Sequence, residues 1–138
     1  MITINIPFEP VAWAAPKVGK GYAYDPREKD KRAFRYLIKE QYQGPVLDEP
    51  VAIKFIFACS PPKSASKKKR ELMLKGEIIP TKSDCTNYQK LYEDCLKGIV
   101  IKDDRNVEII HSQKVYDEKG CVVILIFTRD SSPNANCS

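Results

Sequence analysis

The segment Asp84–Lys97, DCTNYQKLYEDCLK, constrains the fold of this chain more than any other. Tyr88, Leu91, Tyr92, Cys95 and Leu96 recur at i, i+3, i+4, i+7 and i+8. At ~100° per residue that spacing puts all five on one face of a helix. Such an apolar face has to be buried, so the helix packs onto the core. Ser83 or Asp84 offers a cap at its start and Gly98 a stop after Lys97, as helix ends prefer. Asn87, Lys90 and Asp94 fall at i, i+3 and i+7 and make a polar stripe beside the apolar one.

Elsewhere the hydrophobic period shortens to two, the signature of strands. Ile2, Ile4 and Ile6 alternate with Thr3 and Asn5, and Val51, Ile53, Phe55 and Phe57 share one face of Val51–Cys59. Alternation resumes from Val107 to Gln113. After the turn residues Asp117–Gly120, Cys121–Thr128 reads as a buried strand. A further helix begins at Pro26 with Asp25 as its N-cap, carries Phe34, Leu37, Ile38 and Tyr42 at helical spacing, and ends at Gly44-Pro45. A short one is capped by Ser64 or Ser66 and runs to Lys75, with Gly76 after it. Ala15–Tyr24 reads as a flexible basic loop or a loose hairpin, and Ile99–Ile101 as a short extended piece. The order strand, helix, strand, helix, helix, strand, strand predicts an α+β domain. Its mixed sheet carries the helices mostly on one face and closes with a C-terminal antiparallel hairpin. Residues 1–129 form this single domain, and the polar stretch 130–138 is expected to be a disordered tail.

A chain of 138 residues, 43% of them hydrophobic, fits one domain with a real core. No apolar stretch approaches the ~20 residues that cross a bilayer, and MITINIPFEP has no features of a leader. No membrane and a cytoplasmic location are therefore expected. Lys and Arg outnumber Asp and Glu by 23 to 18, a net charge of +5, which favours a polyanionic partner. The five cysteines are odd in number and form no Cys-x-x-Cys pair, so reduced, mostly buried thiols are expected. Lys67-Lys68-Lys69-Arg70 is either a solvated helix face or a basic patch over DNA. His111, the single histidine, sits in a strand pattern and reads as structural. Trp13 and Tyr22 flank the basic Lys17–Lys20 loop, where they either pack at a rim or stack on unpaired bases.

Carboxylates carry the chemical signal. Asp84 stands at a helix start, and one short segment after that helix come Asp103 and Asp104. Hydrolysis of a phosphodiester needs its oxygens neutralised and a water deprotonated. Hard divalent cations do both, held by one or two carboxylates. By spacing alone, Asp84 as a plain cap and Asp103-Asp104 as a plain turn remain the simpler account.

The stretch Lys82–Val107, KSDCTNYQKLYEDCLKGIVIKDDRNV, adds more. It resembles the signature of the RusA family of Holliday-junction resolvases, common in bacteria and their prophages. That signature runs Lys/Arg-Pro-Asp-x-Asp-Asn-Leu-x-Lys, Asp-Ala-Leu-Asn-Gly, Asp-Asp-x-Gln-Val. Lys82, Asp84, Asn87, Lys90, Asp94, Leu96, Gly98, Asp103, Asp104 and Val107 match in order and nearly in spacing. The order of elements over residues 2–128 fits as well, with Tyr24-Asp25-Pro26 before the first helix and Lys114 late in a strand.

The resemblance implies a crossover-junction endodeoxyribonuclease of DNA recombination and repair. It would act as a homodimer on four-way or branched DNA with Mg²⁺, which Mn²⁺ can replace. It places the catalytic metal aspartates on Asp84 and Asp104, converging on one cation, and the essential lysine on Lys90. Asn87 and Asp94 become supporting residues, and Lys17, Lys20, Lys82 and Lys114 DNA contacts. Two departures stand out: Ser83 replaces a proline, and Thr86 replaces the second aspartate of Asp-x-Asp. Thr86 can still reach a metal or hold its water, without charge. Asp103 and Glu93 are the nearest replacements in sequence, although Glu93 lies ~180° from the cap around the helix. Two rival readings remain open: a branched-DNA binder that has lost catalysis, and a basic RNA- or protein-binding module.

Overall fold

A computed structural model describes residues 1–130, so the expected tail lies almost wholly outside the described residues. The sheet strands are β1 (Ile2–Ile6), β4 (Val51–Cys59), β5 (Val107–Tyr116) and β6 (Cys121–Thr128). A separate small hairpin pairs β2 (Lys17–Gly19) with β3 (Tyr22–Tyr24). The helices are α1 (Glu28–Gln41), α2 (Lys67–Leu74) and α3 (Cys85–Leu96). A single 3-10 turn, Asp104–Asn106, precedes β5.

The four-stranded sheet has the order β1-β6-β4-β5. β4 and β5 are parallel, while β6 runs antiparallel to both β1 and β4. The fold is thus α+β with a mixed sheet, as the order of elements predicts. The C-terminal hairpin is not formed: β5 and β6 run in opposite directions but lie on opposite sides of β4. The intervening turn passes over the end of β4, where the Asp117 N–H donates to Cys59 C=O at 2.9 Å. Burial gives the reason. In β6, Val122, Ile124 and Ile126 are buried and the residues between them half-buried, which suits an interior strand. β5 is exposed from Glu108 to His111 and again at Gln113 and takes an edge.

Alternate residues of β4 face the core: Val51, Ile53, Phe55, Phe57 and Cys59 are buried. The α3 stripe read from the sequence meets them. Tyr88, Leu91, Tyr92, Cys95 and Leu96 are all buried, and Phe57 packs on Tyr88 and Tyr92 with ring centroids 5.2 and 5.7 Å apart. Helix α1 closes the layer through Phe34, stacked on Tyr92 at 5.3 Å. Each such aromatic buried whole contributes roughly 1.5–3 kcal/mol. Helix α1 starts at Glu28, two residues later than Pro26 suggests, because Asp25 makes a turn of its own. Its carboxylate accepts from Arg27 N–H at 2.8 Å and its C=O from Glu28 N–H at 3.2 Å. Among the described residues, no helix is long and apolar enough to cross a membrane.

Candidate active site

Asp84 is the N-cap of α3: its backbone is extended and its carboxylate accepts from Asn87 N–H at 2.8 Å. That bond satisfies one of the donors a helix start leaves open, and the carboxylate complements the positive end of the helix dipole. Thr86, Asn87 and Lys90 are exposed on the first turns that follow. Asn87 C=O accepts from Trp13 N–H at 2.9 Å, which ties the segment before β2 to the helix. The indole ring of Trp13 lies under Lys90, whose Nζ stands 3.5 Å from the ring centroid. That contact aims the ammonium group without neutralising it. Lys114, near the end of β5, donates to Ser83 C=O at 3.1 Å. Lys82 lies on the rim between two clefts. One, of about 440 Å³, is lined by Glu9, Cys59, Ser60, Tyr88 and Tyr116. The other, of about 340 Å³, is lined by Val11, Arg27, Asp30 and Ser83. Asp84 and three lysines, Lys82, Lys90 and Lys114, therefore gather at the start of α3, with Glu9 and Asp30 in the flanking clefts.

Asp104 is not among them. Its Oδ2 lies 3.3 Å from Lys97 Nζ at the far end of α3, and the same Nζ lies 3.3 Å from Asp94 Oδ1. Asp94 continues to Lys31 at 3.7 Å, and Lys31 to Asp25 at 2.9 Å. The result is a chain of alternating charges across α1, α3 and the 3-10 turn. The twelve residues of α3 rise ~18 Å, and β5 runs back alongside in the opposite sense, with Ser112 Oγ 2.7 Å from Gln89 Oε1. Asp84 and Asp104 thus sit near opposite ends of one helix, whereas carboxylates sharing a cation stand roughly 4–6 Å apart. The expected convergence of the two does not occur within one chain. The cause is local. The segment expected to extend back toward Asp84 is a tight turn: Ile99, Val100 and Ile101 N–H all point to Leu96 C=O, and Leu47 bonds to Val100 and Lys102. The chain therefore leaves α3 where the helix ends.

Asp103 stays with Asp104 at this far end. It caps the 3-10 turn through a reciprocal bond with Asn106 and pairs with Arg105 at 3.3 Å. The side chain of the adjoining Asp104, then the Arg105 N–H, hold its carboxyl down to about 2. Asp94 belongs to the ion chain rather than to the Asp84 cluster. Glu93 is half-buried, and burial first, then Asp104, raise its carboxyl above the usual value. Arg35 was not singled out from sequence. It donates to the carbonyls of Asp94, Cys95 and Lys97 at 3.4, 3.3 and 2.9 Å and so caps the negative end of α3. Its only sequence signal is a cation on a helix otherwise facing α3. Lys97 had a clearer one, lying three residues after Asp94.

Among the described residues, no three acidic, histidine or cysteine side chains are arranged to hold a metal ion. The donors that the first turn of α3 itself carries are one carboxylate, Asp84, and the Thr86 hydroxyl. They do not fit a preformed two-carboxylate centre. Mg²⁺ would take one ligand from Asp84 and depend on waters and substrate phosphate for the rest. Cys59 and Cys95 are buried free thiols, with Cys95 pushed up to about 12 by burial, and neither belongs to the cluster.

A family model described as endodeoxyribonuclease RusA matches residues 7–127. The chain is also 33% identical over 127 residues to the "uncharacterized protein YqaN" of Bacillus subtilis (strain 168), covering 86% of this chain and 89% of that one. The match embraces β4, all three helices and the Lys82–Val107 block, together with nearly all of β6. The chain belongs to the RusA endodeoxyribonuclease family.

Proposed function

We propose that the protein is a Mg²⁺-dependent endodeoxyribonuclease that nicks four-way DNA junctions in recombination and repair, in the cytoplasm, as a homodimer. The observation that carries this reading is the gathering of Asp84, Lys82, Lys90 and Lys114 around the exposed start of α3. A helix N-terminus and three ammonium groups attract phosphate. A bound divalent ion would supply charge neutralisation and an acidified water at Asp84. Lys90, aimed by the Trp13 ring, meets negative charge that grows on the phosphate during cleavage. Lys82 and Lys114 hold the strand on either side, through its backbone and not its bases. Two copies related by a two-fold axis would match the symmetry of a junction.

A second reading draws support from Thr86 and from the distance between Asp84 and Asp104: a protein that binds branched DNA without cutting it. Labelled four-way junctions and the matching linear duplexes, incubated with the protein in Mg²⁺ and in EDTA, separate the two. Paired, Mg²⁺-dependent nicks at the branch support the nuclease. Tight junction binding with no nicks in Mg²⁺ or Mn²⁺ leaves the binder, and equal affinity for duplex and junction refutes both.

A further inference from the structure

The β2–β3 hairpin has no part in the core, yet it is built to hold two aromatic rings in solvent. Tyr22 and Tyr24 are 62% and 44% exposed, and Val18 is 82% exposed. In the register, Lys17 faces Tyr24, Val18 faces Ala23 and Gly19 faces Tyr22. Lys17, Gly19, Tyr22 and Tyr24 therefore share one face of the ribbon, and Val18 and Ala23 the other. The two tyrosine rings lie 6.0 Å apart. A Cβ at Gly19 would stand 2.9 Å from Cζ of Tyr22, so the ring lies flat across that glycine and is fixed without being covered. Gly21, at φ 76°, makes the tight turn that most other residues would resist.

The root of this ribbon is anchored against the candidate site. On one side Trp13 is bonded to Asn87 and lies under Lys90. On the other, Asp25 is paired with Lys31. Arg27 Nε joins the two legs by donating to Ala12 C=O at 3.0 Å. Residues 10–24, PVAWAAPKVGKGYAY, contain two lysines and no Asp or Glu. The first carboxylate after the ribbon, Asp25, is already paired with Lys31, so an exposed pair of rings beside Lys17 and Lys20 fits a polyanion with free aromatic faces. Paired duplex hides its base faces, and unstacked or unpaired bases offer them.

We propose that the β2–β3 hairpin is a stacking platform for unstacked bases at the branch point of DNA, with Tyr22 and Tyr24 under the bases and Lys17 and Lys20 on the adjoining phosphates. This rests on the reading of the protein as one that acts on branched DNA. It adds that the branch is recognised by rings standing beside the phosphate-binding end of α3.

The test uses a four-way junction with 2-aminopurine beside the branch, in EDTA so that no strand is cut. It compares the parent chain with Tyr22→Ala/Tyr24→Ala and Tyr22→Phe/Tyr24→Phe. The parent should change the 2-aminopurine emission on binding. The alanine pair should bind the junction about 10-fold or more weakly, lose the emission change, and keep its duplex affinity and melting temperature. The phenylalanine pair should behave as the parent. If the parent prefers the junction and the alanine pair binds it equally well with the same emission change, the platform is refuted while the action on branched DNA stands. If the parent has no preference for the junction, both fall. If the alanine pair loses affinity together with self-association in sedimentation, the rings serve a protein contact and the proposal is overturned.

Discussion

Asp84 carries two loads that a pair of substitutions separates. Its carboxylate caps α3 through the 2.8 Å bond from Asn87 N–H, and it is the carboxylate carried by the start of α3 itself. Asp84→Ala removes both functions. Loss of a side-chain cap costs about 1 kcal/mol, within a range of roughly 0.5–2, which for a domain of this size lowers Tm by ~3–5 °C. Asp84→Asn keeps an acceptor of equal quality at the cap and gives up only the charge at an exposed helix start, about 0.3–1 kcal/mol. Thermal melts should rank parent, Asn and Ala in that order of decreasing Tm. Nicking of a labelled junction in Mg²⁺ should fall by about 100-fold or more in both. The informative variant is Asp84→Asn, stable but inactive. Cleavage by it at the parental rate would show that Asp84 is a cap and nothing else. A parental Tm for Asp84→Ala would instead refute the capping energetics.

Four other outcomes are expected. Lys90→Ala should leave Tm within a few degrees, since a surface cation–π contact is worth ~0.5–1 kcal/mol, and should reduce nicking ~100- to 1000-fold; an unchanged rate assigns Lys90 to solvent. Thr86→Asp should raise Mg²⁺ affinity, measured calorimetrically, with nicking retained or increased and no loss of stability, because Thr86 is exposed near the positive end of α3. No gain in Mg²⁺ binding would mean that this helix start is not a metal site. Phe57→Ala should cost roughly 3–5 kcal/mol in denaturant unfolding, as the ring is fully buried among Phe55, Tyr88 and Tyr92. Asp103 should stay ionised in a carboxyl-carbon NMR titration until about pH 2. Because its folded value is depressed, the support it gives the 3-10 turn is complete above the usual carboxylate value of 3.8 and fades as pH falls through about 2; titration near pH 4 would contradict the pairing.

The elements readable from sequence are those whose local pattern leaves one choice. The α3 stripe, the alternations of β1 and β4 and the unbroken apolar run of β6 can be satisfied only by burial on one or both faces. The Asp84 cap was equally local. What failed was long-range. Nothing in Asp117–Gly120 tells whether the following strand lies beside β5 or crosses to the other side of β4, since both need a turn of the same composition. Asp104 differs for a related reason: Ile99–Ile101 reads as a short extended piece, and only the bonds to Leu96 and Leu47 reveal a turn that keeps Asp104 beside Lys97. The hairpin at Lys17–Tyr24 stood as one of two alternatives, and its glycines and tyrosines decided for it.

The position of β6 sets the order in which this protein can fold. Among the described residues β1 is the first strand, and its one strand partner is β6, the last, with Ile2 opposite Ile126. During synthesis β1 and β4 are therefore made early and wait with a hydrogen-bonding edge open until Cys121–Thr128 leaves the ribosome. Pairing over so great a sequence separation is slow, and open apolar strands invite association with other chains. A chain broken off before Cys121 would keep the β4–β5 pair but leave β1 with no strand partner and the other edge of β4 open. Such fragments are expected to aggregate or be degraded rather than persist as partly active protein.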